Sequence, residues 1–294
     1  MITASALPPK PTDQPIARAN RQTRRRPKYG TWSTLILFGL WSLLPIYWLL
    51  NMSLQSATET TSLPPTWFPS LDFSAYSTAL RQPGLRLGLF NSLLTAVGST
   101  VISVACGTCA GYALSHLAVG RTDRYEFWVL SSRMAPPIAV ALPFFLLYRQ
   151  FGLQDTTIGL ILAHVVVSAG IVTWILIESF RAIPRELLEA ALVDGCGYGG
   201  AFRRILLPLA IPGIVGAASI AFLLSWNDFF LSLILTDTKA ITAPLAVYQA
   251  VGFQSIDLGQ LAATSTLVLI PTALVVGFFQ RQLVSGLTMG AVKG

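Results

Sequence analysis

Six stretches of this chain, each long, apolar and almost free of charge, limit what it can fold into more than any other feature. They run at Trp32–Leu54, Leu87–Leu117, Phe127–Tyr148, Ile158–Phe180, Leu207–Leu235 and Leu261–Arg281. A helix of about 20 apolar residues crosses the ~30 Å hydrocarbon layer, and in lipid it must satisfy every backbone N–H and C=O internally. The expectation is therefore an all-α polytopic membrane protein with six transmembrane helices. Composition points the same way. Hydrophobic residues make up 53% of the 294 and charged residues 11%, with mean hydropathy +0.62, whereas soluble domains carry roughly 25% charged residues.

An even number of spans puts both termini on one side, and the basic residues choose which. Lys10, Arg18, Arg21, Arg24, Arg25, Arg26 and Lys28 precede the first span. Arg121, Arg124, Arg181, Arg185, Arg203, Arg204, Arg281 and Lys293 fall on the same side, against Arg81, Arg86, Arg149 and Lys239 on the other. Positive flanks stay in the cytoplasm, so both termini are expected there. The expected organisation is a disordered basic tail at 1–31, a first span with its external segment at 32–86, a core at 87–283 with a cytoplasmic loop at 181–206, and a tail at 284–294. The apolar run at Trp32–Leu54 exceeds a signal-peptide core of 7–15 residues and reads as a retained anchor.

Several functions are excluded by what the residues cannot do. The net charge of +7 sits beside membrane ends, where anionic lipid attracts it, and no groove of interleaved bases and aromatics suggests nucleic acid. Cys106 and Cys109 lie within a span, Cys196 stands alone, and His116 and His164 are the only histidines, too few for a zinc or redox site. The small residues from Cys106 to Gly111, including the pair Gly107 and Gly111 at GxxxG spacing, suit close helix approach. The lysines follow Pro9, Pro27, Thr238 and Val292, so the chain holds no P-loop and is not expected to hydrolyse ATP or to bind a cofactor of its own. Asp228 is the only acid well inside a span, a thin basis for ion coupling.

The polar segment EAALVDGCGYGGAFRRILLP, Glu189–Pro208, interrupts the apolar runs with a fixed spacing: EAA, three residues, Gly, nine residues, then I-x-L-P. Pro184 suits a first helical turn, Arg185–Val193 are fair to good helix formers, and Gly195, Gly197, Gly199 and Gly200 break the helix. The reading is a short amphipathic helix with Glu189 four residues after Arg185, a bend at which Asp194 caps the turn, and a second short helix. Leu187, Leu188, Ala190 and Ala191 would give the first helix its contact surface. An amphipathic segment lying on lipid is the alternative.

This segment resembles the cytoplasmic coupling loop of binding-protein-dependent ABC importers. The likeness extends beyond it. PIYWLLNMSLQS at Pro45–Ser56, PPTWFPSLDFSAYSTAL at Pro64–Leu80, the span Asn91–Leu117 and the run from Arg133 resemble carbohydrate ABC permeases of the maltose-system type. GLTMGAVKG at Gly286–Gly294 resembles the tail of the smaller permease subunit. Cys196 and Gly197 stand where that family often has Ala then Ser, a small-for-small departure.

The resemblance implies a plasma (inner) membrane subunit of a bacterium or archaeon. Its partners would be a second homologous permease, two ABC ATPases and a periplasmic or lipoprotein solute-binding protein, with a sugar, oligosaccharide or polyol as substrate. ATP and Mg would then belong to the partner ATPases. Glu186, Glu189, Ala190, Ala191, Asp194 and Gly195, with Ile205, Leu207 and Pro208, would form the ATPase-coupling site. Sugars are held by planar hydrogen-bonding groups and aromatic faces, which makes Arg133, His164, Trp226, Asn227 and Asp228 candidates for the substrate pathway. Trp226 and Asn227 could equally seal helix packing, and His164 could be a satisfied core residue. An importer for a non-carbohydrate solute, a self-contained proton-coupled carrier and a membrane anchor without transport are the remaining readings.

Overall fold

In the computed structural model, residues 29–117, 122–131, 136–250 and 257–288 are described. Among them every regular element is helical. In chain order these are α1 (Tyr29–Ser53), α2 (Ser74–Arg81), α3 (Pro83–His116), α4 (Thr122–Ser131), α5 (Pro137–Gln150), α6 (Thr157–Arg181), α7 (Arg185–Val193), α8 (Tyr198–Ala201), a π-helical turn Phe202–Leu206, α9 (Leu207–Trp226), α10 (Phe230–Leu235), α11 (Ala243–Ala250) and α12 (Leu258–Thr288). Five of the described helices are long and apolar enough to cross a membrane: Trp32–Ser53, Pro83–His116, Thr157–Arg181, Tyr198–Trp226 and Leu258–Leu283.

Two expected spans are broken. Phe127–Tyr148 does not form one helix: α4 ends at Ser131, residues 132–135 lie outside the described set, and α5 resumes at Pro137. Pro136 is extended (φ −63°, ψ 132°), because a residue that precedes a proline is pushed out of the helical region. Leu207–Leu235 stops at Trp226 and restarts at Phe230.

The chain divides into two compact units, Met1–Pro45 and Ile46–Gly294, with the boundary inside α1. In the first, Leu37, Phe38, Leu40 and Trp41 are all more than 60% exposed. Side chains of that size left bare in water would be a large penalty, and lipid is the solvent in which they cost nothing.

The second unit is built on α3, α6 and α9. Hydrophobic burial gives no drive between helices in lipid, so association depends on small residues and interhelical polar contacts. Both are present. A Cβ added at Gly111 would lie 3.0 Å from the Leu176 backbone, and one at Gly213 would overlap Ser179 Oγ, so these glycines set the crossings of α6 with α3 and α9. Ser103 and Ser168 pair at 2.8 Å between α3 and α6, and Ser99 donates to Ser225 at 3.1 Å between α3 and α9.

At the outer end by the expected topology, Asp155 fastens the loop after α10. Its carboxylate accepts the backbone N–H groups of Asp237, Thr238, Lys239 and Ala240 at 3.0–3.3 Å. Asn91 Nδ2 donates to the carbonyls of Lys239 and Ile241 from α3. Burial by itself would raise the Asp155 pKa, but the four N–H donors outweigh it and hold the carboxyl below its ordinary value. Glu59, in the segment after α1, is likewise held low by the N–H of Ser56 and the hydroxyl of Ser70.

Candidate functional site: a capped loop and a broken helix

The polar segment forms the expected pair of short helices. Pro184 (φ −56°) precedes α7, whose backbone closes with the N–H of Cys196 on Ala191 C=O at 2.9 Å and that of Gly195 on Leu192 C=O at 3.1 Å. This is the two-bond termination that needs a left-handed residue just past the helix, and Gly195 supplies it at φ +82° with no atom within 4 Å of an added Cβ. The turn is thus closed by Gly195 and Cys196 rather than by the Asp194 side chain. Asp194 instead stands exposed at the helix end.

One face of α7 is spent inward. Leu188 and Ala191 are 5% and 3% exposed and pack with Tyr112, Phe180, Ala201 and Leu206. Ala191 and Leu188 are therefore anchors and not contact surface, a correction to the sequence-based expectation. Ile205 and Leu207 are half-buried, with Ile205 against the same cluster, and Pro208 is exposed. The outward face carries Glu186, Leu187, Glu189, Ala190, Val193 and Asp194. Arg185 does not pair with Glu189 but donates to Ser115 C=O on α3 at 3.2 Å. No ion pair engages Glu186, Glu189 or Asp194 among the described residues.

Two contributors escaped sequence reasoning. Val193 is 87% exposed at the tip, a bare β-branched residue that only the direction of the helix reveals. Tyr112 joins α3 to the loop by donating to Tyr198 C=O at 3.2 Å and by stacking near Phe202, centroids 4.8 Å apart. Into α9 the chain passes through the π turn Phe202–Leu206, next to Pro208, which has no N–H to continue a regular helix. Such turns concentrate at functional sites.

The second location is the break between α9 and α10. Trp226 is 2% exposed, donates to Val268 C=O at 3.0 Å and stacks on Phe222. It seals α9 against α12 and lines neither groove described below. Asn227 is exposed and its Nδ2 donates back to Leu223 C=O at 2.8 Å. Asp228 Oδ1 accepts the N–H of Leu231 at 2.9 Å. The Asn227 N–H still joins the ladder on Leu223 C=O at 3.1 Å, and the break follows where the Asp228 side chain takes the Leu231 N–H. His164 is buried on α6, with Nδ1 2.6 Å from Ser225 Oγ and Nε2 3.6 Å from Asp228 Oδ1. Arg133 lies outside the described residues.

Two open grooves meet at this break. One of about 570 Å³ is lined by Asn227, Asp228, Phe229 and Phe230, and one of about 480 Å³ by Asn227, Phe229, Tyr248 and Ser265. Both fall in the size range of small-ligand sites. They combine aromatic faces with a few polar groups, and no His, Cys, Asp and Glu grouping able to hold a metal occurs among the described residues.

Comparison with known proteins adds the context. A sequence profile described as "Binding-protein-dependent transport system inner membrane component" matches residues 107–289. The chain is 36% identical over 276 residues to the trehalose transport system permease protein SugB of Mycobacterium tuberculosis, covering 92% of this chain and 99% of that one. It is 33% identical over 268 residues to the sulfoquinovosyl glycerol transport system permease protein SmoH of Agrobacterium fabrum, covering 89% and 92%. Among solved structures, a chain of a bacterial ABC transporter that imports the acidic polysaccharide alginate superposes with TM-score 0.75 at 21% identity, over 87% of this chain and 99% of that chain.

Proposed function

Because the chain belongs to the binding-protein-dependent transport system inner membrane components, the permease family of ABC importers, we propose that it is the smaller permease subunit of an importer for a sugar, oligosaccharide or polyol. It is a multi-pass membrane protein, and ATP hydrolysis in such importers is carried by separate ATPase subunits. The observation that carries the proposal is the α7–α8 loop: a helix with one apolar face anchored and the other carrying carboxylates without an ion pair among the described residues, closed by a glycine in a left-handed turn.

In this reading Glu186, Glu189, Ala190, Val193, Asp194 and Gly195 enter a cleft of a partner ATPase. Ala191 and Ile205 hold the loop to the core, and Leu207 and Pro208 lead from it into α9. ATP and Mg sit in the ATPase pair, and its closure moves the loop as a rigid lever. A second, homologous permease completes the pathway, and an external solute-binding protein delivers the substrate. Both termini are cytoplasmic. Asn227, Asp228 and His164 border the pathway at the helix break, while Trp226 supports it from behind. The relatives' names favour a sugar over phosphate or an amino acid, yet a neutral disaccharide and a sulfonated glycoside both occur among them, so the family leaves the charge of the substrate open.

The test is uptake by proteoliposomes holding this chain, its companion permease and the ATPase, with binding protein and radiolabelled trehalose outside. Uptake that needs internal ATP and survives collapse of the proton gradient is expected. Uptake that stops with the gradient and ignores ATP would contradict the importer reading in favour of a self-contained carrier.

A further inference from the structure

Asp228 carries a negative charge that its structural duties do not need. Its bond to the Leu231 N–H is one that asparagine makes equally well at the start of a helix. The nearest basic group is His164, whose Nε2 lies 3.6 Å from Oδ1 and has no hydrogen-bond partner, although the side chain is only 2% exposed. On the other side of the ring, Ser99 donates to Ser225, and Ser225 Oγ lies 2.6 Å from Nδ1. Ser225 thus occupies Nδ1 and leaves Nε2 as the ring nitrogen that faces the carboxylate. Between them, beside Ser168, is a space of about 10 Å³, about one water.

No Lys or Arg lines this space or either groove among the described residues. By the expected span Leu207–Leu235 this carboxylate falls within the membrane, where a charge is costly and is kept where it acts. Here 24% of the Asp228 side chain is exposed. It borders the groove beside Asn227 and Phe229, and the Phe229 and Tyr248 rings meet edge to face with centroids 5.3 Å apart.

From this arrangement we propose that Asp228 selects the substrate by charge, admitting neutral polyhydroxylated sugars and rejecting those that carry carboxylate, sulfonate or phosphate, and that His164 is the positioning residue that aims it. The inference rests on the reading of the α9–α10 break as part of the pathway. An ionised carboxylate is a strong acceptor for sugar hydroxyls. The same charge repels an anion strongly where little water screens it. The aromatic pair offers an apolar face to the C–H side of a sugar ring.

The assembled importer in proteoliposomes, with internal ATP and its own binding protein, decides the matter. The probes are trehalose and its 6-carboxylate analogue, each supplied at a concentration that saturates the binding protein by calorimetry. Wild type should transport trehalose at least about tenfold faster than the acid. Asp228→Asn keeps the helix-start bond and should shrink that ratio about tenfold, and the binding protein, being common to both, cannot cause the change. His164→Gln should raise KM for trehalose severalfold while the charge ratio persists. An unchanged ratio in Asp228→Asn, or equal transport of both sugars by wild type, overturns the proposal. A wild-type importer that moves neither sugar, although its binding protein is saturated with them by calorimetry, overturns the importer reading, and this inference with it.

Discussion

Asp155 shows how much one side chain can hold at the residue scale. Its backbone is left-handed at φ 53°, a conformation that Asp and Asn tolerate better than other non-glycine residues, and its carboxylate gathers the loop after α10. Because the folded pKa is lowered, the contribution is fully present above the unfolded value of about 3.9 and is lost as pH falls through the lower folded value. Stability from this group should therefore be flat between about pH 5 and 8 and fall in acid. Asp155→Asn keeps the left-handed turn but removes the charge, and it should cost about 1–2 kcal/mol at neutral pH. Thermal unfolding in nanodiscs from pH 8 to 3 measures both. The variant should lose less stability than wild type between pH 5 and 3, and equal losses would show that the charge is not what fastens the loop.

At the scale of elements, glycines divide by what surrounds them. A Cβ at Gly111 meets the backbone of Leu176 and Ile177 at 3.0–3.2 Å, whereas one at Gly107 meets the side-chain tips of Val172 and Leu176 at 2.9 and 3.2 Å. Side chains can turn aside where a helix backbone must move. Gly111→Ala should therefore cost about 1–3 kcal/mol, lowering the folded fraction extracted in mild detergent, with Gly107→Ala distinctly milder; equal effects would mean that α3 and α6 are not locked at this point. The GxxxG spacing was legible in the sequence, but the partner helix was not, because spacing names a face and not its neighbour. The same limit explains Ala191, whose small size suited a docking surface until the helix direction turned it toward Tyr112. Pro184, Gly195 and the helix Arg185–Val193 were legible because their physics is local. The break at Asn227 and Asp228 was not. It depends on one side chain, Asp228, taking the Leu231 N–H from the helix ladder inside a strongly hydrophobic segment.

Across the whole molecule, hydropathy identified a helical membrane protein, and residue spacing pointed to the short polar loop between α6 and α9. Burial then assigned tasks that composition cannot. Exposed apolar side chains suit lipid surroundings, and serine and glycine join the helices to each other. One short polar loop gathers carboxylates that find no partner within the described chain. A permease of this kind has no energy source of its own, so the account stands or falls on the loop's engagement with an ATPase.

The most direct measurement is to extract the tagged chain from native membranes in mild detergent and identify its companions by mass spectrometry, with Gly195→Asn and Gly195→Val beside wild type. Asn accepts the left-handed turn and Val does not. A P-loop ATPase and a second permease are expected with wild type and with Gly195→Asn, and loss of the ATPase alone with Gly195→Val. Recovery of the chain by itself, or an ATPase retained equally by all three, would contradict the proposed coupling.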